Sequence, residues 1–130
     1  MYSATTHEIH VRVTPAFLKD QSQPIEDHYV WMYEIEIENN SQMPVQLTRR
    51  RWTIINSRGE QERVEGEGVV GQKPTLAPGE SYKYQSGCPL DTPSGMMMGS
   101  FVMDREDGHS IEVSVPAFSL DSPYEAQTLN

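Results

Sequence analysis

Apolar and polar residues alternate with a period of two along much of the chain. A strand that buries one face produces that period, because successive side chains point to opposite sides. In HEIHVRV, Ile9, Val11 and Val13 share one face while Glu8, His10 and Arg12 share the other. YVWMYEIEIEN is clearer: Tyr29, Trp31, Tyr33, Ile35 and Ile37 alternate at its end with Glu34, Glu36 and Glu38. This predicts a half-buried strand with a solvated acidic face.

VQLTRRRWTII follows the polar, proline-containing turn NNSQMP, so the second and third strands are expected to be antiparallel neighbours. Its apolar phase changes from odd (Val45, Leu47) to even (Trp52, Ile54), which predicts a bulge near Arg49 to Arg51. The turn signal NSRG and the short ERVEG segment continue the meander. After the loop GEGVVGQKPTLAPGE come a strand over Glu80 to Ser86, with Tyr82 and Tyr84 on one face, and another over Met96 to Met103. The turn DREDG leads to a last strand with Ile111, Val113 and Val115 inward. Pro116 ends the alternation, with Phe118 and Leu120 still available for packing.

About seven or eight short strands without an amphipathic helix predict an all-β fold, an antiparallel sandwich. The 130 residues, 36% of them hydrophobic, suffice for one domain spanning 1–130, with 121–130 as a surface tail. No apolar run is long enough to span a bilayer, and the first residues do not read as a secretory signal, so a cytoplasmic location is expected. The single cysteine, Cys88, has no partner for an internal disulfide and reads as a small loop residue. A net charge of −9 opposes nucleic-acid and anionic-membrane partners. Arg49, Arg50 and Arg51 gather three of the ten cations into a local basic patch.

GEGVVG spells the G-x-G-x-x-G of a dinucleotide site. That chemistry needs a strand ending in a glycine turn followed by a helix, and the prolines at 74 and 78 forbid the helix. Gly66, Gly68 and Gly71 are expected to serve a strand-breaking loop, with Val69 and Val70 as apolar pegs. With Lys73 they are also the candidate partner- or anion-binding loop, through a non-helical nest of backbone amides. Arg50, Arg51 and Trp52 form the candidate interface, because arginine and tryptophan concentrate binding energy; for Trp52 core packing is expected ahead of exposure. The histidines 7, 10, 28 and 109 match no metal-ligand spacing, and no catalytic motif is present. Catalytic residues, metal ligands and cofactors are therefore expected to be none. Alternate members of Met96-Met97-Met98 and Met103 leave part of that stretch for contacts.

LAPGESY resembles the tyrosine corner of fibronectin type III domains, which favours an immunoglobulin-like topology. YEIEIEN, VQLTRRRW, RVEGEGVVGQKP, LAPGESYKYQSG, LDTPSGMMMGSFVM and VPAFSL, in this order and spacing, resemble the ApaG family from about Ile9 to Leu120. The resemblance implies a fibronectin type III-like β-sandwich with no established enzymatic activity. It also implies a link to cobalt resistance and magnesium efflux, gene neighbourhood with a diadenosine tetraphosphate hydrolase, and similar domains in an F-box protein and a DNA polymerase-interacting protein. Two positions depart from the family. Arg50-Arg51-Trp52 stands where the family commonly has Arg-His-Trp, and Gly71-Gln72-Lys73-Pro74 where it has Gly-Glu-Gln-Pro. The expectation is a non-enzymatic protein-interaction module with an unidentified protein partner, homodimerisation remaining open. The alternatives are a binder or hydrolase of nucleoside polyphosphates acting through GEGVVG, and a divalent-cation sensor.

Overall fold

The computed structural model describes residues 1–124. These form nine strands: β1 (Tyr2–Thr6), β2 (Ile9–Phe17), β3 (Tyr29–Asn39), β4 (Val45–Asn56), β5 (Gln61–Glu67), β6 (Thr75–Leu76), β7 (Ser81–Leu90), β8 (Gly95–Arg105) and β9 (Ser110–Leu120). Single 3-10 turns at Lys19–Gln21 and Pro24–Glu26 interrupt the link from β2 to β3. One antiparallel sheet is ordered β1-β2-β3-β7 and the other β5-β4-β8-β9. β4 pairs with β5 over Arg49 to Ile55 and with β6 over Val45 and Gln46. The chain is thus an all-β sandwich, as the alternation requires.

Burial along β3 alternates without a fault from Tyr29 to Asn39, and the inward residues of the other strands meet it between the sheets. Trp31, Phe101, Phe118, Ile35, Ile37 and Leu47 are among the fully buried side chains. Each contributes about 1.5–3 kcal/mol of burial relative to exposure. Trp52 belongs to this core at 4% exposure, its ring edge-on to Tyr33, Phe101 and Phe118.

Several expectations need correction. β3 and β4 are not neighbours: they lie in opposite sheets, and NNSQMP is a crossover. Buried Asn39 fixes that corner, its Nδ2 donating to the carbonyls of Met43 and Leu76 (2.9 Å each) and its Oδ1 accepting from the Ser41 amide (2.9 Å). The register of β4 against β8 shifts between Leu47 and Arg49, so the bulge sits at Thr48, just before the arginines. A second shift sets Met98 alone opposite Pro116 and Ala117, which carries β9 past the proline and returns Phe118 and Leu120 to the core.

Tyr2–Thr6 is a strand that weak alternation concealed, joined to β2 by a two-residue turn in which His7 and Glu8 both take positive φ. Cys88 lies in β7 and is buried, not in a loop. The corner at LAPGESY is tied by Gly79 N–H to the Asn39 carbonyl (2.7 Å) and by Ala77 N–H to the Glu80 carboxylate (2.6 Å). Among the described residues the Tyr82 hydroxyl makes no hydrogen bond there. The tail begins as an anchored segment: Trp31 Nε1 donates to the Asp121 carbonyl (2.8 Å), and Tyr124 packs on Phe17 and Tyr29. The rest of the expected surface tail, 125–130, lies outside the described residues.

Candidate functional site

One side of the sandwich is closed. Thr6 Oγ1 accepts from Ser114 N–H (3.2 Å), the Tyr2 hydroxyl accepts from Ser119 N–H (3.3 Å), and Tyr2 packs on Phe118, so β1 meets β9. The opposite side is open. β5 and β7 are the outer strands of their sheets there, and among the described residues no strand pairs with either outer edge.

The Thr48 bulge decides what faces this opening. Past it, Arg50 and Ile54 share the parity of buried Trp52, so Arg50 points to the inner side while Arg49 and Arg51 point to solvent. Cross-strand pairing sets Val64 beside Trp52, Glu62 beside Ile54 and Gly66 beside Arg50. The Arg50 guanidinium lies over Gly66 so closely that a Cβ there would stand 2.8 Å from its nitrogens. Arg50 Nη1 donates to the carbonyls of Glu67 and Gly68 (3.0 Å each). No carboxylate pairs with Arg50 among the described residues.

GEGVVG thereby acquires a geometry. Gly66 leaves room for a guanidinium, and Gly68 has φ +64° with the Gln72 carbonyl packed where a side chain would be. Val70 and Gly71 form a tight two-residue turn, both at positive φ. Val69 is buried and Val70 is 61% exposed. The amides of Gly68, Val69 and Gln72 are engaged with the carbonyls of Thr48, Gln72 and Val69, while two loop carbonyls face Arg50. The loop therefore turns acceptors toward its neighbouring cation. Lys73 lies across the loop, 3.5 Å from the Glu67 carboxylate, and Arg51 pairs with Glu65 (3.2 Å) and Glu112 (2.9 Å) on the outer face. Arg50, Arg51 and Trp52 thus do not make one patch.

Two adjoining hollows run along the open side and share Ile54, Glu62 and Pro89 in their walls. The first, of about 250 Å³, is lined by Tyr33, Arg50, Trp52, Val64, Ser86 and Cys88 among others. The second, of about 500 Å³, opens toward Asp27, His28, Glu60, Leu90 and Asp91. Sequence reasoning missed most of this lining. Glu62 and Gly66 carry the inward parity of Val64, and a charge and a glycine at core parity are the signal of an edge without a covering strand.

The charges of this groove are unequal along its length. At the wider end four carboxylates, Asp27, Glu60, Glu62 and Asp91, face one guanidinium, Arg58, which bridges Glu60 (2.9 Å) and Asp91 (2.6 Å). Bonds from Asn56 and Arg58 hold the Glu60 carboxyl below its usual range, and Arg58 does the same for Asp91. The narrower end has Arg50. Burial, with the Glu62 charge adding to it, pushes the Cys88 thiol up to about 11, so it is a thiol and not a thiolate at neutral pH. Among the described residues no three histidine, cysteine or acidic side chains converge on a point where a cation would sit.

A family model, the ApaG domain, matches residues 19–105. Protein ApaG of Agrobacterium fabrum is 52% identical over 130 residues, covering the whole of both chains. The chain belongs to the ApaG family. Protein ApaG of Paramagnetospirillum magneticum is 50% identical over the same full length. A crystal structure titled as the putative ApaA protein of Bordetella pertussis superposes with a TM-score of 0.87 at 40% identity, covering 92% of this chain and 97% of that one. The ApaG fold therefore holds beyond the 19–105 core, and β1, β2 and β9 complete the sandwich that this core begins.

Proposed function

We propose that this ApaG-family chain is a non-enzymatic protein-interaction module of the cytoplasm, and that the open side of its sandwich is the surface that partners meet. The observation that carries this reading is the pair of outer strands, β5 and β7, whose outer edges have no partner strand among the described residues, flanking a groove headed by an arginine without a carboxylate partner among those residues. Strand edges and partly desolvated arginines are recurrent docking elements. Ile25, fully exposed in the 3-10 turn Pro24–Glu26, adds an apolar side chain to the segment that leads into Asp27 and His28. The link to cobalt resistance and magnesium efflux implied by family resemblance fits a regulator that acts through other proteins. No helix among the described residues is long and apolar enough to cross a membrane.

The nucleoside-polyphosphate reading has weaker support, because the amides of Gly68 and Val69 in GEGVVG, and of Gln72 just after it, are bonded to backbone carbonyls and the Glu67 carboxylate stands beside Lys73. A cation sensor lacks a converging ligand set among the described residues. The test is comparative capture from cytosol with the wild-type chain, Arg50→Ala, Glu62→Lys and the outer-face control Arg51→Ala. The expected outcome is loss of the same captured proteins in the first two variants only. Equal recovery by all four would remove the open side as the interface.

A further inference from the structure

The groove is polar in the sense of a magnet: acidic at one end, basic at the other, apolar between. Glu62 and Gly66, the β5 residues beside the two ends, are four residues apart on one strand. Four residues of extended chain span about 13 Å at 3.3 Å each. Between Glu62 and Arg50 lies Val64, with Trp52 beneath, while Ile54 and Pro89 flank Glu62 where the two hollows join. At the acidic end Glu62 and Asp27 are in no ion pair among the described residues, while Glu60 and Asp91 share Arg58. At the basic end, Arg50 uses Nη1 on two carbonyls.

Resting on the interaction-module reading, we infer that the groove takes an extended segment of a partner protein with a lysine or arginine about four residues from a carboxylate. The basic residue lies against Asp27 and Glu62, the carboxylate reaches Arg50, and small apolar residues between them cover Val64 and the neighbouring Ile54 and Pro89. Charge complementarity selects this occupant over others. A purely acidic segment would meet four carboxylates at the wide end, and a purely basic one would meet Arg50. The apolar middle supplies binding energy, and the two charges set direction, since opposite-sign pairs steer register and like-sign pairs oppose it. The outer edges of β5 and β7, which no strand among the described residues covers, flank the segment and offer it backbone hydrogen bonds.

Selection of a displayed library of random ten-residue peptides on the full chain tests this, followed by fluorescence anisotropy of the enriched peptides. The expected consensus has a basic residue and an acidic residue about four positions apart with apolar residues between. Glu62→Lys, an exposed position that leaves packing intact, is expected to weaken binding about tenfold. Arg50→Gln is expected to do likewise, with unchanged melting confirming its fold. A peptide with its basic residue replaced by glutamate is expected to bind Glu62→Lys better than the wild-type chain. Enriched peptides without this charge spacing, no enrichment, or affinities unmoved by both variants would overturn the assignment. If the cytosolic partners are still lost with Arg50→Ala and Glu62→Lys while the peptides fail, the open side stands as an interface and only the extended-segment occupant is rejected.

Discussion

Gly68 and Gly71 share a motif and a positive φ, yet their surroundings separate them. At Gly68 a methyl group would strike the Gln72 carbonyl, whereas at Gly71 it would enter open space. Gly68→Ala is expected to cost about 2 kcal/mol or more and Gly71→Ala about 1 kcal/mol, as compared by urea unfolding. Cys88 supplies a second check at this scale. Its folded pKa of about 11 stands above the ordinary thiol value of 9.0, so the folded state holds the proton more tightly. Its contribution to stability is complete below pH 9 and is lost as pH rises toward 11, a slope that should flatten in Cys88→Ala. At pH 8 a thiol reagent should label the native chain slowly and the unfolded chain fast. The inward parity of Trp52 was legible in the letters. That of Arg50 was legible only after the bulge was placed, because one inserted residue exchanges the faces of everything beyond it.

Among the elements, those with strict period-two alternation read correctly: β3 is found over the stretch YVWMYEIEIEN, and β8 and β9 cover the runs that named them. Pairing was less legible than strand identity. NNSQMP resembles a hairpin loop, but a single buried amide, Asn39, binds Met43 and Leu76 and turns the chain across to the other sheet. No local pattern encodes that, since the partner at Leu76 is 37 residues away. β1 escaped notice because its exposure alternates between partial and full, giving the apolar period little amplitude. Asn39→Ala removes the bond to the buried Leu76 carbonyl and one of two side-chain bonds to the Met43 carbonyl, which keeps its bond from the Ser41 hydroxyl. It is expected to cost about 3 kcal/mol in denaturant unfolding and to speed hydrogen exchange at Gly79 and Glu80, whose backbone is tied to this corner.

For the whole molecule, the asymmetry of the sandwich matters more than its class. β1 and β9 close one side with hydrogen bonds and an aromatic contact, while β5 and β7 leave the other without a covering strand among the described residues. The charges at core parity on β5, Glu62, and on β4, Arg50, sit where water or a partner must meet them, and the glycine at 66 is fitted to that arginine. GEGVVG supports one end of this groove and holds its cation in place. The open side as the docking surface is tested most directly by a photo-crosslinking amino acid placed in cells at position 62, in the groove, or at position 112, on the outer face of β9. Crosslinks to partner proteins from position 62 and not from 112 are the expected result; crosslinks from 112 with none from 62 would contradict it.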